Sequence, residues 1–271
     1  MLSLLRTEWL KIRNYPGFWW VTGLTLLSYP GINSLFYFIY KQQVNSKEMA
    51  GQVVQMLVGN PFAFPEVFRT VAYTSSVFIF IPAILIIMLI SNEFTFKTHR
   101  QNIIDGWSRG EFLLAKFFNV VIITLLVTAL NAAVTLVIGY LNKEAGTEPY
   151  WKLAHYTALF GLQVFSQLSF AFLLGLLIRR AFIALGVFIF YMMILEQIAM
   201  GLLKQFARDA GRFLPLEVSD RITPVPAFLG RLNEKVYEKS LQLVNEHVWY
   251  TLLYTGVFWL LCLWIYKKRD L

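Results

Sequence analysis

The sequence predicts an all-α integral membrane domain with six transmembrane helices, and three observations carry that prediction. Of 271 residues, 57% are hydrophobic and 15% charged, where a soluble domain carries about 25% charged residues. Six apolar runs lie near or above the roughly 20 residues needed to cross hydrocarbon at about 1.5 Å per residue. Lys and Arg gather in the gaps between those runs, and they do so unevenly.

Leu2–Arg13 comes first. It sets Leu2, Leu5, Trp9 and Ile12 at helical spacing, with Arg6, Glu8, Lys11 and Arg13 mostly off that stripe. A helix of this kind lies in the membrane interface, its Trp at headgroup depth. Tyr15, Pro16 and Gly17 then let the chain turn into the bilayer. The first apolar run is too long for a signal-peptide core and lacks an Ala-x-Ala-like end, so it reads as a retained span.

The spans are expected at Phe18–Tyr40, Val71–Ser91, Phe117–Leu141, Tyr156–Ile178, Ala181–Leu203 and Val248–Tyr266. Pro30–Gly31 and Pro82 fall inside the first and second, where they can kink the helix. Ala129 and Ala133 let the third pack closely. Only Arg179 and Arg180 separate the fourth from the fifth. One helix through both would reach roughly 70 Å, so the chain must reverse at that pair.

Orientation follows from positive charge in short loops. With the N-terminus inside, the cytoplasmic segments hold twelve cations: Arg6, Lys11 and Arg13; Lys97, Arg100, Arg109 and Lys116; Arg179 and Arg180; Lys267, Lys268 and Arg269. The two shorter outer loops hold five, Lys41, Lys47, Arg69, Lys143 and Lys152. Both termini are therefore expected inside, in the cell membrane. The remaining seven lie in the long 204–247 segment, where charge orients weakly. With half of the positive charge topological, the net charge of +8 does not call for a nucleic-acid partner.

Outside, the 41–70 loop contains a stiff aromatic turn, Asn60 to Pro65. The longer 204–247 segment has breakers at Gly211, Pro215, Pro224, Pro226 and Gly230, then a helical stretch from Leu232 to Val244. Repeats and low-complexity tracts are absent, and residues 1–271 read as one membrane domain.

Catalytic motifs are missing. No Gly-Lys dipeptide occurs, so a G-x-x-x-x-G-K-[ST] phosphate loop is excluded. H-E-x-x-H is absent, and the one Gly-x-Ser-x-Gly spacing (Gly106 to Gly110) lacks the preceding strand that a nucleophile elbow needs. His99, His155 and His247 fall in loops or at membrane edges. The single cysteine, Cys262, cannot form an intramolecular disulfide or a Cys-based zinc site.

Three features carry functional content. The first is the stretch from Glu93 to Lys116, twenty-odd mixed-charge residues where a turn of about four would do. It reads as a docking surface for a cytosolic partner. The second is a polar stripe in the fourth span, Gln163, Ser166, Gln167 and Ser169, where Gln163 and Gln167 share a face. These residues either join helices or line a translocation path. The third is Glu196, the one charged side chain inside any run and so a functional candidate. It lies roughly 24 Å along the helix from Arg180, where water or Lys204 could satisfy it. Through Glu196 the chain could instead be a proton-coupled secondary transporter or a stand-alone intramembrane enzyme.

The layout resembles the ABC-2 type permeases, membrane subunits of type V ABC exporters. These share six spans, cytoplasmic termini and a leading interface helix. After the second span they typically carry a Glu, a Gly-Thr, a Pro-Val-Ser-Arg-like turn and an Ala-Lys. Here the matching residues are Glu93, then Asp105-Gly106-Trp107-Ser108-Arg109, then Leu114-Ala115-Lys116. The sequence departs with Lys97-Thr98 and Gly106-Trp107. The resemblance implies that Phe94–Ile104 is a cytoplasmic coupling helix seated in an ATPase subunit. Glu93, Lys97, Arg100, Asp105, Arg109 and Glu111 would serve docking and coupling, with Glu93 braced by Arg100 or Lys97. The 204–247 segment would form extracytoplasmic helices between spans five and six. It further implies a second permease copy or a related permease, two ATPase chains carrying ATP and Mg²⁺, no cofactor on this chain, and surrounding lipid as the remaining partner.

Overall fold

A computed structural model describes residues 2–44, 59–143, 149–206, 210–230 and 234–268. Among them the chain is all-helical, without a strand. Four helices are long and apolar enough to cross a membrane, and a bent pair makes a fifth if counted as one span.

Helix α1 (Leu2–Arg13) leads into α2 (Pro16–Val44), 29 residues that run through Pro30 in one piece. This helix holds the first expected span and is long enough for it. Thr22, Thr25, Ser28 and Asn33 make it less apolar than the four. The second expected span is two helices, α3 (Val67–Ser76) and α4 (Phe80–Thr95), bent by 48°. The bend falls just before Pro82, not at it. Pro82 occupies the first turn of α4, where its missing N–H leaves no bond unmade.

After the short α5 (Thr98–Ile104), α6 (Arg109–Leu141) runs 33 residues and contains the third expected span. Helix α7 (His155–Ile178) ends at Arg179, which takes a left-handed φ of 57° and donates its N–H to the Gly175 carbonyl at 3.0 Å. Arg180 is extended, and α8 (Ala181–Phe206) begins at once, so the chain breaks at the expected Arg pair. A π-helical turn at Tyr191–Leu195 interrupts α8 just before Glu196. The segment that follows holds α9 (Pro215–Asp220) and α10 (Ala227–Gly230).

The last helix, α11 (Glu234–Lys268), corrects the sequence reading. Rather than a separate stretch ending at Val244 and then a span, it is one 35-residue helix. No Gly or Pro occurs between Arg231 and Gly256 to break it. Leu232 and the flank from Asn45 to Val58 lie outside the described residues, as do Ala145, Glu148 and Arg269.

Helix α7 is central, packed on α3, α4, α6, α8, α9 and α11. Phe160, Leu168, Phe172 and Leu176 are wholly buried along it. At Gly175 the helices approach closely, since a Cβ there would collide with Ile90 Cγ2. A second, aromatic cluster forms around Phe62, Phe64, Phe68 and Tyr156, which buries the Asn60–Pro65 turn.

Candidate functional site

The 93–116 stretch is built from two helix ends and a seven-residue helix. Helix α4 continues to Thr95, so the expected helix from Phe94 to Ile104 is shorter, Thr98–Ile104. Phe96 and Lys97 make the turn between them, Lys97 in the left-handed region at φ 56°. Gly106, at φ 96°, makes the next turn, in a conformation that a side chain would oppose. Ser108 then caps α6: its side chain accepts from Glu111 N at 3.2 Å, and Glu111 Oε2 accepts from Ser108 N at 2.8 Å. That is a complete capping box.

Helix α5 buries His99 and Asn102. His99 Nδ1 lies 2.9 Å from the Glu93 carbonyl, and its ring packs on Phe94. The opposite face, Arg100, Gln101, Ile104 and Asp105, is exposed. Ile104 is 77% exposed, an apolar side chain set among polar ones.

Beneath α5 lies a buried charge network. Lys116 of α6 pairs with Glu8 of α1 and with Glu93 of α4. Lys11 Nζ donates to Glu93 Oε1 at 3.1 Å, Glu8 Oε1 at 3.4 Å and Asn102 Oδ1 at 3.2 Å. Thr98 Oγ1 donates to Glu93 Oε2, and Asn119 Nδ2 donates to Glu8 Oε2 at 2.8 Å. Two acids and two lysines leave the cluster neutral, as burial demands. Glu8, Glu93 and Lys116 are all buried. A cavity of about 260 Å³ opens beside them, lined also by Tyr15, Leu89 and Phe96. The arrangement joins α1, α4, α5 and α6 through side-chain contacts.

Several expectations shift. Glu93 pairs with Lys116 and Lys11 rather than with Arg100 or Lys97. Lys97 and Arg100 are exposed. Asp105 accepts from Gln101 Nε2 at 2.9 Å. Arg109 Nη1 donates to the carbonyls of Lys267 at 2.5 Å and Tyr266 at 3.4 Å, so it ties α6 to the end of α11. Glu111 belongs to the capping box. Glu8 and Lys11 entered the sequence reading only as polar positions off the α1 stripe. In fact Glu8 is buried, whereas Trp9 and Leu10 are exposed. The available signal was weak: an i, i+3 acid–base pair in α1, and Lys116 with Asn119 one turn apart at a span's edge.

A second polar site joins α7, α8 and α9. Gln163 and Gln167 do not bond to a neighbouring span. Both donate Nε2 to Asp220 Oδ1, at 2.8 and 2.7 Å, and Gln167 also reaches Ser219 Oγ at 3.2 Å. Thr223 Oγ1 donates to Gln163 Oε1 at 2.6 Å. Glu196 is buried and its Oε1 accepts from the backbone N–H groups of Leu216 and Glu217 at 2.8 and 2.9 Å. Neither Lys204 nor water is needed for that oxygen. Asp220 keeps an exposed edge, yet protein crowds its other sides. That desolvation pushes its carboxyl up to about 6, with Glu217 adding to the rise and the two glutamines opposing it. Tyr254 OH donates to the Phe213 carbonyl at 2.6 Å, and Thr251 Oγ1 to that of Val218 at 3.4 Å. The 210–223 segment is thus held on α7, α8 and α11. Among the described residues no cluster of His, Cys, Asp or Glu is placed to hold a metal ion.

A family model described as "Protein of unknown function (DUF2705)" matches residues 32–271, and the chain belongs to that family. No curated protein matches the sequence.

Proposed function

We propose that this DUF2705 family member is the permease subunit of an ATP-driven exporter. In that reading it crosses the cell membrane six times with both termini inside. Helix α2 and the bent α3–α4 pair supply the first two spans, and α6, α7, α8 and α11 the remaining four. Helix α5 is the coupling helix, docked in a separate ATPase chain that binds ATP and Mg²⁺. A second permease, identical or related, completes the path.

The observation that carries this reading is the placement of α5. It presents an exposed face that ends in Ile104, and its buried side stands on the Glu8–Lys11–Glu93–Lys116 network. A rigid-body push on α5 is passed to the spans instead of being absorbed in a flexible loop. Transport then requires that the cavity between permeases bind cargo differently in its two states. The hydrogen bonds to Glu196 favour a bracing role for it over a proton relay.

The test is purification of the chain with a nucleotide-binding protein from the same operon. Alone the chain should not hydrolyse ATP, and with that partner it should support ATP-dependent export from vesicles. Transport by the chain alone, driven by a proton gradient, would replace the proposal with the secondary-transporter reading.

A further inference from the structure

Two left-handed residues, Lys97 and Arg179, turn the chain at α4–α5 and at α7–α8. Between the turns lies a cavity of about 610 Å³, lined by Lys97, Arg100, Arg179, Arg180, His99 and Phe94. Four of those side chains are cationic, and no lining residue is acidic. The Arg179 guanidinium lies over the Phe94 ring, 4.8 Å from its centroid, which fixes its plane. Like charges gathered along one open cleft disfavour one another, and an anion entering it would offset that. Arg forks match phosphate oxygens in particular, two at a time.

The rim decides which phosphate. Phe182 is 92% exposed two residues after Arg180, and Phe96, Leu177 and Ile183, each within three residues of a lining cation in the sequence, are exposed as well. Cations directly beside outward-facing apolar side chains match a molecule with a phosphate head and an acyl tail. Basic pockets between spans on the cytoplasmic side are lipid-headgroup sites on physical grounds. We infer that the Lys97–Arg100–Arg179–Arg180 cavity binds the phosphate of an anionic phospholipid from the inner leaflet. The lipid would then sit against one edge of α5 and set its resting position, leaving Gln101, Ile104 and Asp105 for the ATPase. This inference rests on the six-span reading, which puts both turns at the inner membrane surface.

The experiment uses the full chain in detergent micelles. Retention of phosphatidylglycerol is followed by native mass spectrometry against phosphatidylcholine, with inorganic phosphate as competitor. The double variant Arg100→Gln/Arg180→Gln changes two exposed residues, and its melting temperature is read alongside. The parent should prefer phosphatidylglycerol, and the double variant should bind it about 30-fold more weakly. Equal retention of phosphatidylcholine, or an unchanged affinity in the variant, overturns the assignment. Displacement by millimolar inorganic phosphate makes the ligand free phosphate and overturns the lipid source. Unchanged lipid binding with loss of the nucleotide-binding partner makes the cavity a protein dock instead. Failure of the six-span reading is seen separately: Arg180→Cys in sealed cells would be labelled from outside, the one native thiol, Cys262, being buried.

Discussion

The ammonium of Lys116 meets the carboxylate of Glu8, 108 residues earlier in the chain. The contact joins the N-terminal helix to the head of α6, and Glu93 lies on the other side of the same ammonium. Removing one member of a buried ionic cluster is expensive because it strands the others, at about 3–5 kcal/mol. Lys116→Met is therefore expected to lower the melting temperature in detergent sharply. Adding Glu8→Gln to that variant should restore part of the loss, since the remaining Glu93 is still balanced by Lys11. A single variant as stable as the parent would show that the cluster does not tether α1.

Ile104 leads to a prediction about assembly. Full burial of an Ile side chain is worth about 1.5–3 kcal/mol. If its exposed face docks in an ATPase groove, Ile104→Asp should weaken the complex by about ten- to a hundredfold, with stability unchanged. Arg109→Ala should behave in the opposite way. Its guanidinium is engaged with the carbonyls at the end of α11, so stability falls while binding persists. Pull-down and thermal unfolding of both variants separate the two outcomes.

What the sequence showed and what it concealed follow one physical line. Uncharged runs are local, so the apolar helices and the break at Arg179–Arg180 could be read directly. The Ser108 cap is local too, its partner being three residues away, yet the sequence reading passed over it. The Glu8 site could not be read this way, because an acid in an interface helix is ordinarily solvated and its partners come from α4 and α6. The same holds for Gln163 and Gln167: their spacing showed a shared face, and only the folded chain shows that Asp220 occupies it. Leu232 to Val244 was set apart from the final span because the change from polar to apolar composition resembled a boundary. With no breaker residue at that change, the helix simply continues.

Asp220 gives a pH prediction. Its carboxyl is raised from 3.8 to about 6, so the fold disfavours its charged form. The stability it contributes is full below about pH 4 and is lost as pH rises toward 6. Melting temperature should therefore decline across that window in the parent. Asp220→Asn keeps an oxygen for Gln163 and Gln167 and removes the charge, and its curve should be flatter there. Identical slopes in the two proteins would place the titration elsewhere.

Glu196 separates the proposed ATP-driven export from a proton-coupled alternative. Its Oε1 accepts two backbone N–H groups at the start of α9, a task that needs an oxygen and not a negative charge. Glu196→Gln retains such an oxygen, so the variant should fold and export nearly as the parent does. Glu196→Leu leaves both donors buried without a partner, at about 1–3 kcal/mol each. It should loosen the 210–223 segment, visible as faster proteolysis or hydrogen exchange there. A proton relay predicts the reverse ranking of function for the amide, because Gln cannot carry the proton however well it holds α9. Export by Glu196→Gln vesicles at several external pH values tells the two apart: unchanged rates leave Glu196 as a brace, and abolished rates make it the coupling site.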